Sequence, residues 1–170
     1  MEYIKLSKIT TVITLGGKGT RLREITQDIP KPLWPILGMH TLERSIKVLH
    51  EQGLRSFIFI INYKSDSFFK EALILEKKYE INIEIFEETH PLGEAGSLLD
   101  MVNLLNQNFL FISGDIIFDI DIKRFLEFHL FNNSDLTFIT HLTNHPEDSD
   151  CISETPTLSI NKYKLKSQIG

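Results

Sequence analysis

Residues 9–23 read ITTVITLGGKGTRLR, an apolar stretch that runs directly into a glycine-rich turn. The apolar part, Ile9 to Leu15, has the length and composition of a buried β-strand. Glycines at positions 16, 17 and 19 let the backbone turn sharply and bring its N–H groups close to a ligand, because no Cβ atom stands in the way. The stretch therefore predicts a strand followed by an anion-binding loop.

Basic side chains are concentrated around this loop. Lys18, Arg21, Arg23 and Lys31 place positive charge within a short span of a chain whose formal net charge is −5. Fixed positive charge beside a glycine turn is what a polyphosphate requires. The spacing is not that of a P-loop, and Leu22 stands where a dinucleotide-binding fingerprint needs its third glycine. We therefore expect a polyphosphate ligand and disfavour a dinucleotide-dependent oxidoreductase.

The composition is that of an ordinary globular domain. The 170 residues can bury a sizeable core, and they are 42% hydrophobic and 24% charged. The single cysteine, Cys151, cannot form an internal disulfide, and no apolar run reaches membrane-spanning length. We therefore expect a cytoplasmic protein with no membrane partner. The acidic balance leaves no broad basic face, so nucleic acid is not an expected partner either.

Strand-like and helix-like patterns alternate along the rest of the chain. Continuous or alternating apolar residues predict strands, and apolar residues at helical spacing predict helices. The predicted strands are 57–61, 81–85, 109–112 and 136–140, and the predicted helices are 42–49, 68–79, 98–105 and 122–130. This order predicts an α/β fold with a mainly parallel sheet and helices on both faces.

Several polar residues follow the predicted strands directly. The glycine turn follows the first strand, Gly114 and Asp115 follow the strand that ends at Ile112, and Asn62 and Tyr63 end another strand. In parallel sheets, ligands bind outside the carboxyl ends of the strands. We therefore expect these residues to open on the same edge of the sheet.

Three ordered motifs resemble those of the sugar nucleotidyltransferases. Leu15 to Leu33 is similar to the family's Gly-Gly-x-Gly-Thr-Arg-Leu segment followed by Pro-Lys-Pro-Leu. Pro91 to Leu98 resembles its Leu-Gly-Thr-Ala-Gly segment, and Ser113 to Asp115 resembles its Gly-Asp metal site. The resemblance covers about residues 8 to 150. Together with the element order it predicts a Rossmann-like fold that is short at its C-terminal end.

The resemblance implies a reaction. A sugar 1-phosphate would take a nucleotidyl group from a nucleoside triphosphate, forming a nucleotide-sugar for surface polysaccharide synthesis and releasing pyrophosphate. By the same resemblance, Arg21 and Lys31 are catalytic and Asp115 binds Mg²⁺. The implied nucleotide-binding residues are Leu15, Gly16, Gly17, Gly19, Thr20, Gly93, Ala95 and Gly96.

Each role has a plainer alternative. Lys31 can be a solvated loop lysine, and Asp115 can be a turn aspartate that accepts from its own backbone. The small residues before residue 98 can serve helix packing against the sheet. Glu94 departs from the family's usual small polar residue, which leaves its role open.

The segment from His145 to Asp150 resembles one found in heptose 1-phosphate guanylyltransferases. It favours GTP as the nucleotide and a heptose or mannose phosphate as the sugar. Residues 1–150 are then expected to form a nucleotide-binding domain, and residues 151–170 an unassigned tail that begins the sugar-binding part.

Members of the family carry further strands and a second metal-binding aspartate beyond the point that corresponds to Gly170. The alternative function is therefore a truncated, non-catalytic domain that binds a nucleotide or nucleotide-sugar and regulates a partner. Assembly into a homo-oligomer stays open.

Overall fold

The computed structural model describes residues 5–15, 29–62, 65–90, 92–93, 95–144, 150–154 and 159–164. The chain divides into two compact units, Met1–Asn133 and Ser134–Gly170. Among the described residues, no helix has both the length and the apolar character needed to cross a membrane.

The first unit contains a parallel sheet, a short hairpin and three α-helices. Its strands are β1 (Thr10–Thr14), β2 (Pro35–Ile36), β3 (Met39–His40), β4 (Ser56–Ile61), β5 (Asn82–Glu87) and β6 (Phe109–Ser113). Its α-helices are α1 (Thr41–Glu51), α2 (Ser65–Tyr79) and α3 (Ile122–Phe131). Short 3₁₀ helices lie at Leu6–Lys8, Lys31–Leu33 and Gly96–Leu98.

The main sheet has the strand order β5-β4-β1-β6, and every neighbouring pair is parallel. The chain moves from β1 outward to β4 and β5, then returns to place β6 on the other side of β1. The strand order therefore reverses between β1 and β6, which is the topological switch point where open α/β sheets bind ligands. This topology confirms the predicted Rossmann-like α/β fold.

The two faces of the sheet are covered differently in the described part of the chain. Alternate residues of β4, such as Phe57 and Phe59, join side chains of all three α-helices in one buried cluster. The intervening residues Ile58 and Ile60 face the other way and pack with Val12 and Met101. The sequence pattern predicts burial on both faces, because a strand buried on both faces reads as a continuous apolar run. It also predicts helices on both faces, whereas in the described residues the α-helices contribute only to the first cluster and the turns around Met101 cover the second face.

Two predicted elements are wrong. Residues 98–105 do not form an α-helix; a 3₁₀ turn at Gly96–Leu98 continues into irregular turns. In that stretch Met101 is fully buried, whereas Leu99 and Val102 are 82% and 64% exposed. An apolar pattern forms a stable helix only when its whole stripe is buried, because short helices depend on tertiary packing.

The predicted strand at residues 136–140 is absent as well. Leu136, Phe138 and Ile139 are each more than half exposed. A strand is stable only when another strand pairs with its backbone. In the described residues no strand pairs with this segment, so its alternating pattern does not produce one.

Two helix ends lie at residues whose chemistry suits them, one with a capping side chain and one with a glycine. The Asp121 carboxylate accepts a hydrogen bond from the backbone N–H of Arg124 at 2.9 Å, which caps α3. Gly53 follows α1 with φ +103°, in the left-handed region that glycine adopts most readily.

The second unit contains an antiparallel pair, β7 (Cys151–Glu154) and β8 (Ile160–Lys164). Both strands lie in the tail of residues 151–170, for which the sequence predicts no element.

Candidate active site

The carboxyl ends of the main strands meet at one edge of the sheet. Leu15 follows β1, Asn62 follows β4, Glu88 follows β5 and Gly114 follows β6. Because neighbouring strands lie about 4.8 Å apart, the ends of β5 and β6 are separated by roughly 14 Å. This edge is therefore wide enough to hold an extended ligand, with different residues serving its two ends.

Gly114 lets the loop after β6 pass against β1. Its N–H donates to the carbonyl of Thr14 at 2.9 Å, which extends the ladder between the two strands. A Cβ at this position would lie 2.3 Å from Cδ2 of Leu15 and 2.8 Å from the backbone oxygen of Thr14. Because that oxygen belongs to the backbone of a central strand, only glycine fits here without displacing the strand.

The next residue, Asp115, meets Lys31 across the switch point. The Lys31 ammonium donates to Oδ2 of Asp115 at 2.6 Å, and the Ser113 hydroxyl donates to Oδ1 at 2.9 Å. Lys31 and Asp115 are 84 residues apart in the chain, and their side chains are 41% and 37% exposed. The fold thus brings together one predicted catalytic residue and the predicted metal ligand.

The environment of Asp115 keeps its carboxylate charged. Burial raises its pKa, but the hydrogen bonds from Lys31 and Ser113 and the positive charge of Lys31 outweigh burial and leave the pKa below its ordinary value. An anionic oxygen that remains partly exposed is a ligand of the kind that Mg²⁺ prefers. Lys31 now neutralises that charge.

Lys31 is held in place by the segment that carries it. It begins the 3₁₀ helix Lys31–Leu33, and Pro32 is buried. The carbonyl of Pro32 accepts a hydrogen bond from the Thr41 hydroxyl at 3.1 Å, at the start of α1. The prolines on both sides restrict the backbone further. The backbone that carries Lys31 is therefore anchored, while the Lys31 side chain remains in contact with water.

A metal ion fits Asp115 only together with a phosphate-bearing ligand. In the described residues there is no group of three or more His, Cys, Asp or Glu side chains that could hold a metal by itself. Mg²⁺ is commonly bound through one or two carboxylates plus substrate phosphates and water. The donor set thus suits a magnesium ion that arrives with a polyphosphate.

The first glycine motif can be placed only at its start. Leu15 is 2% exposed, and its N–H donates to the carbonyl of Ile60 at 2.8 Å. Its side chain belongs to the core, so any contact with a nucleotide would have to come from its backbone. The remaining predicted residues of this motif lie outside the described residues; they are Gly16, Gly17, Gly19, Thr20 and Arg21.

The second motif forms a small-residue segment near the ends of β4 and β5. Gly93 has φ +84°, which strongly favours glycine, and Gly96 approaches Leu92 so closely that a Cβ would lie 2.7 Å from the Cβ of Leu92. Leu92, Gly93 and Ala95 are exposed. The segment therefore presents backbone to solvent with little side-chain cover, as a flat base or ribose would need. Glu94 lies outside the described residues.

Two residues with side-chain hydrogen bonds at this edge of the sheet are not predicted from the sequence. Ser113 donates to Asp115, and Glu88 accepts hydrogen bonds from Asn62 and Ser97. Ser113 was noted only as part of a motif. Glu88 gives a signal that was available, because it is a polar residue directly after a strand that ends on the same edge.

The comparisons with known proteins agree with this architecture. A family model described as nucleotidyl transferase matches residues 10–151. A mannose-1-phosphate guanyltransferase of Hypocrea jecorina is 31% identical over 161 residues, which are 85% of this chain and 44% of that protein. A mannose-1-phosphate guanyltransferase beta-A of Xenopus laevis is 30% identical, over 93% of this chain and 45% of that protein. The chain thus spans less than half the length of these relatives.

Solved structures give the same result for the fold. The crystal structure of HddC from Yersinia pseudotuberculosis aligns with a TM-score of 0.71 and 25% identity, covering 91% of this chain and 68% of that one. HddC has also been solved in complex with GMP-PN. Because the family model spans most of the chain and the parallel sheet matches in space, the chain belongs to the nucleotidyl transferase family.

Proposed function

We propose that this chain transfers a nucleotidyl group, GMP from GTP, to a sugar 1-phosphate. An oxygen of the sugar phosphate attacks the α-phosphorus, and the bond from that phosphorus to the bridging oxygen of the β-phosphate breaks. Pyrophosphate leaves with the electron pair of that bond. The product is a nucleotide-sugar, and we propose surface polysaccharide synthesis as its use.

The observation that carries the proposal is the Lys31–Asp115 pair at the switch point. Phosphoryl chemistry of this kind needs alignment and charge neutralisation more than covalent participation by the protein. Lys31 would bind a phosphate oxygen, and Asp115, with its carboxylate kept anionic, would hold the Mg²⁺ that accompanies the triphosphate. That Mg²⁺ would supply neutralisation of charge on the phosphates.

The identity of the substrates rests on the relatives. The similar proteins of Hypocrea jecorina and Xenopus laevis are named mannose-1-phosphate guanyltransferases, and HddC was solved with GMP-PN. These names support GTP and mannose 1-phosphate, and the resemblance of the segment from His145 to Asp150 adds a heptose phosphate as the alternative sugar. The small-residue segment around Gly93 would hold the nucleoside, and Lys31 and Asp115 would hold the phosphates.

The test is pyrophosphate release with Mg²⁺ across a panel of nucleoside triphosphates and sugar 1-phosphates. We expect release with GTP and a mannose or heptose 1-phosphate. The Arg21→Ala variant should lose turnover by at least about 100-fold, because Arg21 is the expected partner of the leaving pyrophosphate. Unchanged turnover in that variant would remove Arg21 from the mechanism, and circular dichroism would check that the variant keeps its fold.

A second function is a non-catalytic domain that binds a nucleotide or nucleotide-sugar. The same assay separates the two functions. Measurable GTP binding with no pyrophosphate release for any pair in the panel would contradict the enzyme proposal and support the binding domain.

A further inference from the structure

Helix α1 carries a polar stripe along one of its sides. Thr41, Ser45 and Gln52 follow one another at intervals of four and seven residues, so their side chains lie on the same side of the helix and its C-cap. Thr41 and Ser45 are buried, although both residue types favour a helix less than alanine does. A buried hydroxyl is costly unless it is hydrogen-bonded, so the partners of the polar stripe indicate its role.

The Thr41 hydroxyl holds the segment that carries Lys31. It donates to the carbonyl of Pro32 at 3.1 Å. Pro32 lies inside a short 3₁₀ helix, in which the N–H of Leu33 donates to the carbonyl of Pro30 at 2.9 Å. The backbone next to Lys31 is therefore attached directly to the first residue of α1.

The Ser45 hydroxyl holds the segment that carries Asp115. It donates to the carbonyl of Ile116 at 3.4 Å, which is long for a hydrogen bond between oxygens. On the other side of Asp115, the N–H of Gly114 donates to the carbonyl of Thr14 at 2.9 Å. Asp115 therefore lies between two anchored residues, one bound to β1 and the other to α1.

Gln52 holds the far end of the segment that follows β6. Its amide nitrogen donates to the carbonyl of Ile120 at 2.9 Å, and its amide oxygen accepts from the N–H of Ile122 at 2.8 Å. Ser45 and Gln52 are about 10.5 Å apart along the helix, and the four residues between their partner carbonyls span roughly 13 Å when extended. The segment therefore runs alongside α1 and is fixed at both ends.

The backbones that carry the Lys31–Asp115 pair are thus both attached to one side of α1, one helical turn apart. We propose that Thr41 and Ser45 are positioning residues, which set the separation of this pair for binding of the triphosphate and its Mg²⁺. This inference rests on the proposed function, in which the pair binds the phosphate end of the substrate. Because both hydroxyls are buried, they act through the backbone beside each charged residue and not by contact with the substrate.

The experiment measures the dissociation constant of inorganic tripolyphosphate, in the presence of Mg²⁺, by isothermal titration calorimetry. Thr41→Val removes the hydroxyl with little change in volume, and we expect the constant to rise about fivefold, the equivalent of one hydrogen bond. Ser45→Ala should raise the constant about threefold, because its hydrogen bond is longer. Thr41→Ser keeps the hydroxyl and should stay within about twofold of the wild type.

Thr10→Val is the matched control. Thr10 is buried at the start of β1, at the opposite edge of the sheet, and its hydroxyl accepts from Nδ2 of Asn106 at 3.1 Å. In chemical denaturation this variant should lose stability much as Thr41→Val does, but its dissociation constant should not change. Equal weakening of binding in the two variants would show that lost stability alone is responsible, and would overturn the positioning role.

A double-mutant cycle tests whether Thr41 acts through Lys31. Lys31→Met alone should raise the dissociation constant about tenfold, because a charge-assisted bond to phosphate is lost. Adding Thr41→Val to Lys31→Met should then change the constant by less than about twofold, since no cation is left to position. An undiminished effect of Thr41→Val in the Lys31→Met background would overturn the positioning role.

Trp34 provides a readout that needs no ligand. It is the only tryptophan in the sequence, and it directly follows the 3₁₀ helix Lys31–Leu33. Thr41→Val should increase the quenching of its fluorescence by acrylamide, because the segment loses an anchor. Ser45→Ala and Thr10→Val should leave the quenching unchanged. Unchanged quenching in Thr41→Val would overturn the role of Thr41.

The outcomes separate this inference from the proposed function. If Lys31→Met weakens binding but Thr41→Val and Ser45→Ala do not, the positioning role is overturned and the proposed function stands. A wild type that does not bind tripolyphosphate, or whose binding is insensitive to Lys31→Met, would overturn the proposed function and the positioning role together. If Thr41→Val does not fold, Ser45→Ala is tested in the same cycle with Asp115→Asn in place of Lys31→Met.

Discussion

Lys31 and Asp115 form the contact on which the proposed chemistry depends. The pair is partly exposed, with side chains 41% and 37% accessible, so its contribution to stability is small, at most about 1 kcal/mol. The pair matters because each of its charged groups can bind part of the expected ligand. The cation and the carboxylate satisfy each other in this structure, and a polyphosphate with its metal ion would give each of them a new partner.

The pairing predicts how Asp115 responds to the loss of Lys31. In Lys31→Met, burial still raises the pKa of Asp115, and the Ser113 hydroxyl remains to oppose it without the ammonium. We therefore expect the pKa of Asp115 to rise relative to the wild type, measured by NMR titration of the carboxyl carbon. Lys47→Met, which removes a cation paired with Glu51 at 3.9 Å on α1, is the control and should leave the Asp115 pKa unchanged.

The same pair has a defined pH dependence. Because the folded-state pKa of Asp115 is lowered, its contribution to stability is present above the unfolded value of about 3.9 and is lost as pH falls through the lowered folded value. The difference in unfolding free energy between the wild type and Lys31→Met should therefore narrow on acidification below about pH 4. A difference in unfolding free energy that stays constant down to strongly acidic pH would contradict the lowered pKa of Asp115.

Replacement of Gly114 by alanine should destabilise the fold through a steric clash. In Gly114→Ala the new methyl group would meet Leu15 and the Thr14 carbonyl within 3 Å, and we expect a loss of about 3 kcal/mol in the free energy of unfolding. Gly38→Ala is the comparison, because Gly38 has φ +81° with nothing within 4 Å, so its cost of about 1 kcal/mol is conformational only. Chemical denaturation measures both. Equal losses at the two positions would show that the strand relaxes around residue 114.

At the scale of elements, α1 and α2 are joined by a polar cluster. Glu43 on α1 accepts hydrogen bonds from the Lys78 ammonium and the Tyr79 hydroxyl on α2, the latter at 3.0 Å. His40, the N-cap of α1, accepts from the N–H of Glu43 at 3.0 Å and contacts Glu71 on α2 at 2.9 Å. These contacts orient two helices that cover the same face of the sheet, and Lys31–Leu33 leads into the hairpin before α1.

This cluster predicts an alkaline transition. Burial and the hydrogen bond to Glu43 raise the pKa of Tyr79 to about 12, so its contribution to stability is complete below about pH 10 and is lost as pH rises through about 12. Spectrophotometric titration of the wild type should show a tyrosine that ionises near 12, and Tyr79→Phe should lack it. Glu43→Gln should lower the Tyr79 pKa, whereas Glu127→Gln on α3 should not. A wild-type titration with every tyrosine near its ordinary value would refute the hydrogen bond.

At the scale of the whole molecule, we expect the protection of backbone amides against hydrogen exchange to differ between regions. β1 and β4 are paired on both sides, and most residues of β4 are 3% exposed or less. Residues 134–144 of the second unit contain no helix or strand, and Leu142 is 99% exposed. Hydrogen exchange should therefore be slowest in β4, where opening approaches the full free energy of unfolding of about 5–15 kcal/mol, and fast near Leu142. Comparable amide protection in β4 and in the segment around Leu142 would contradict this expectation.

The order of the elements and their class follow from the sequence alone. Continuous apolar runs predict β1, β4 and β6, helical spacing predicts α1 and α2, and Asp121 marks the start of α3. Alternation of strands and helices leaves a parallel sheet as the natural solution, because each crossover helix must pack back on the sheet. Polar residues after the strands could then be assigned to a single edge before any contact was known.

Contacts between distant residues were decided only by the tertiary structure. Lys31 meets Asp115 because β6 returns to lie beside β1, and Glu88 meets Ser97 because a turn folds back over the end of β5. Local patterns carry information about period and turns, whereas a contact across 84 residues depends on which strands are neighbours. The same reason explains why the predicted helix at residues 98–105 and the predicted strand at 136–140 do not form. An apolar pattern indicates that side chains are buried when the element forms, but it does not indicate whether another element lies beside it.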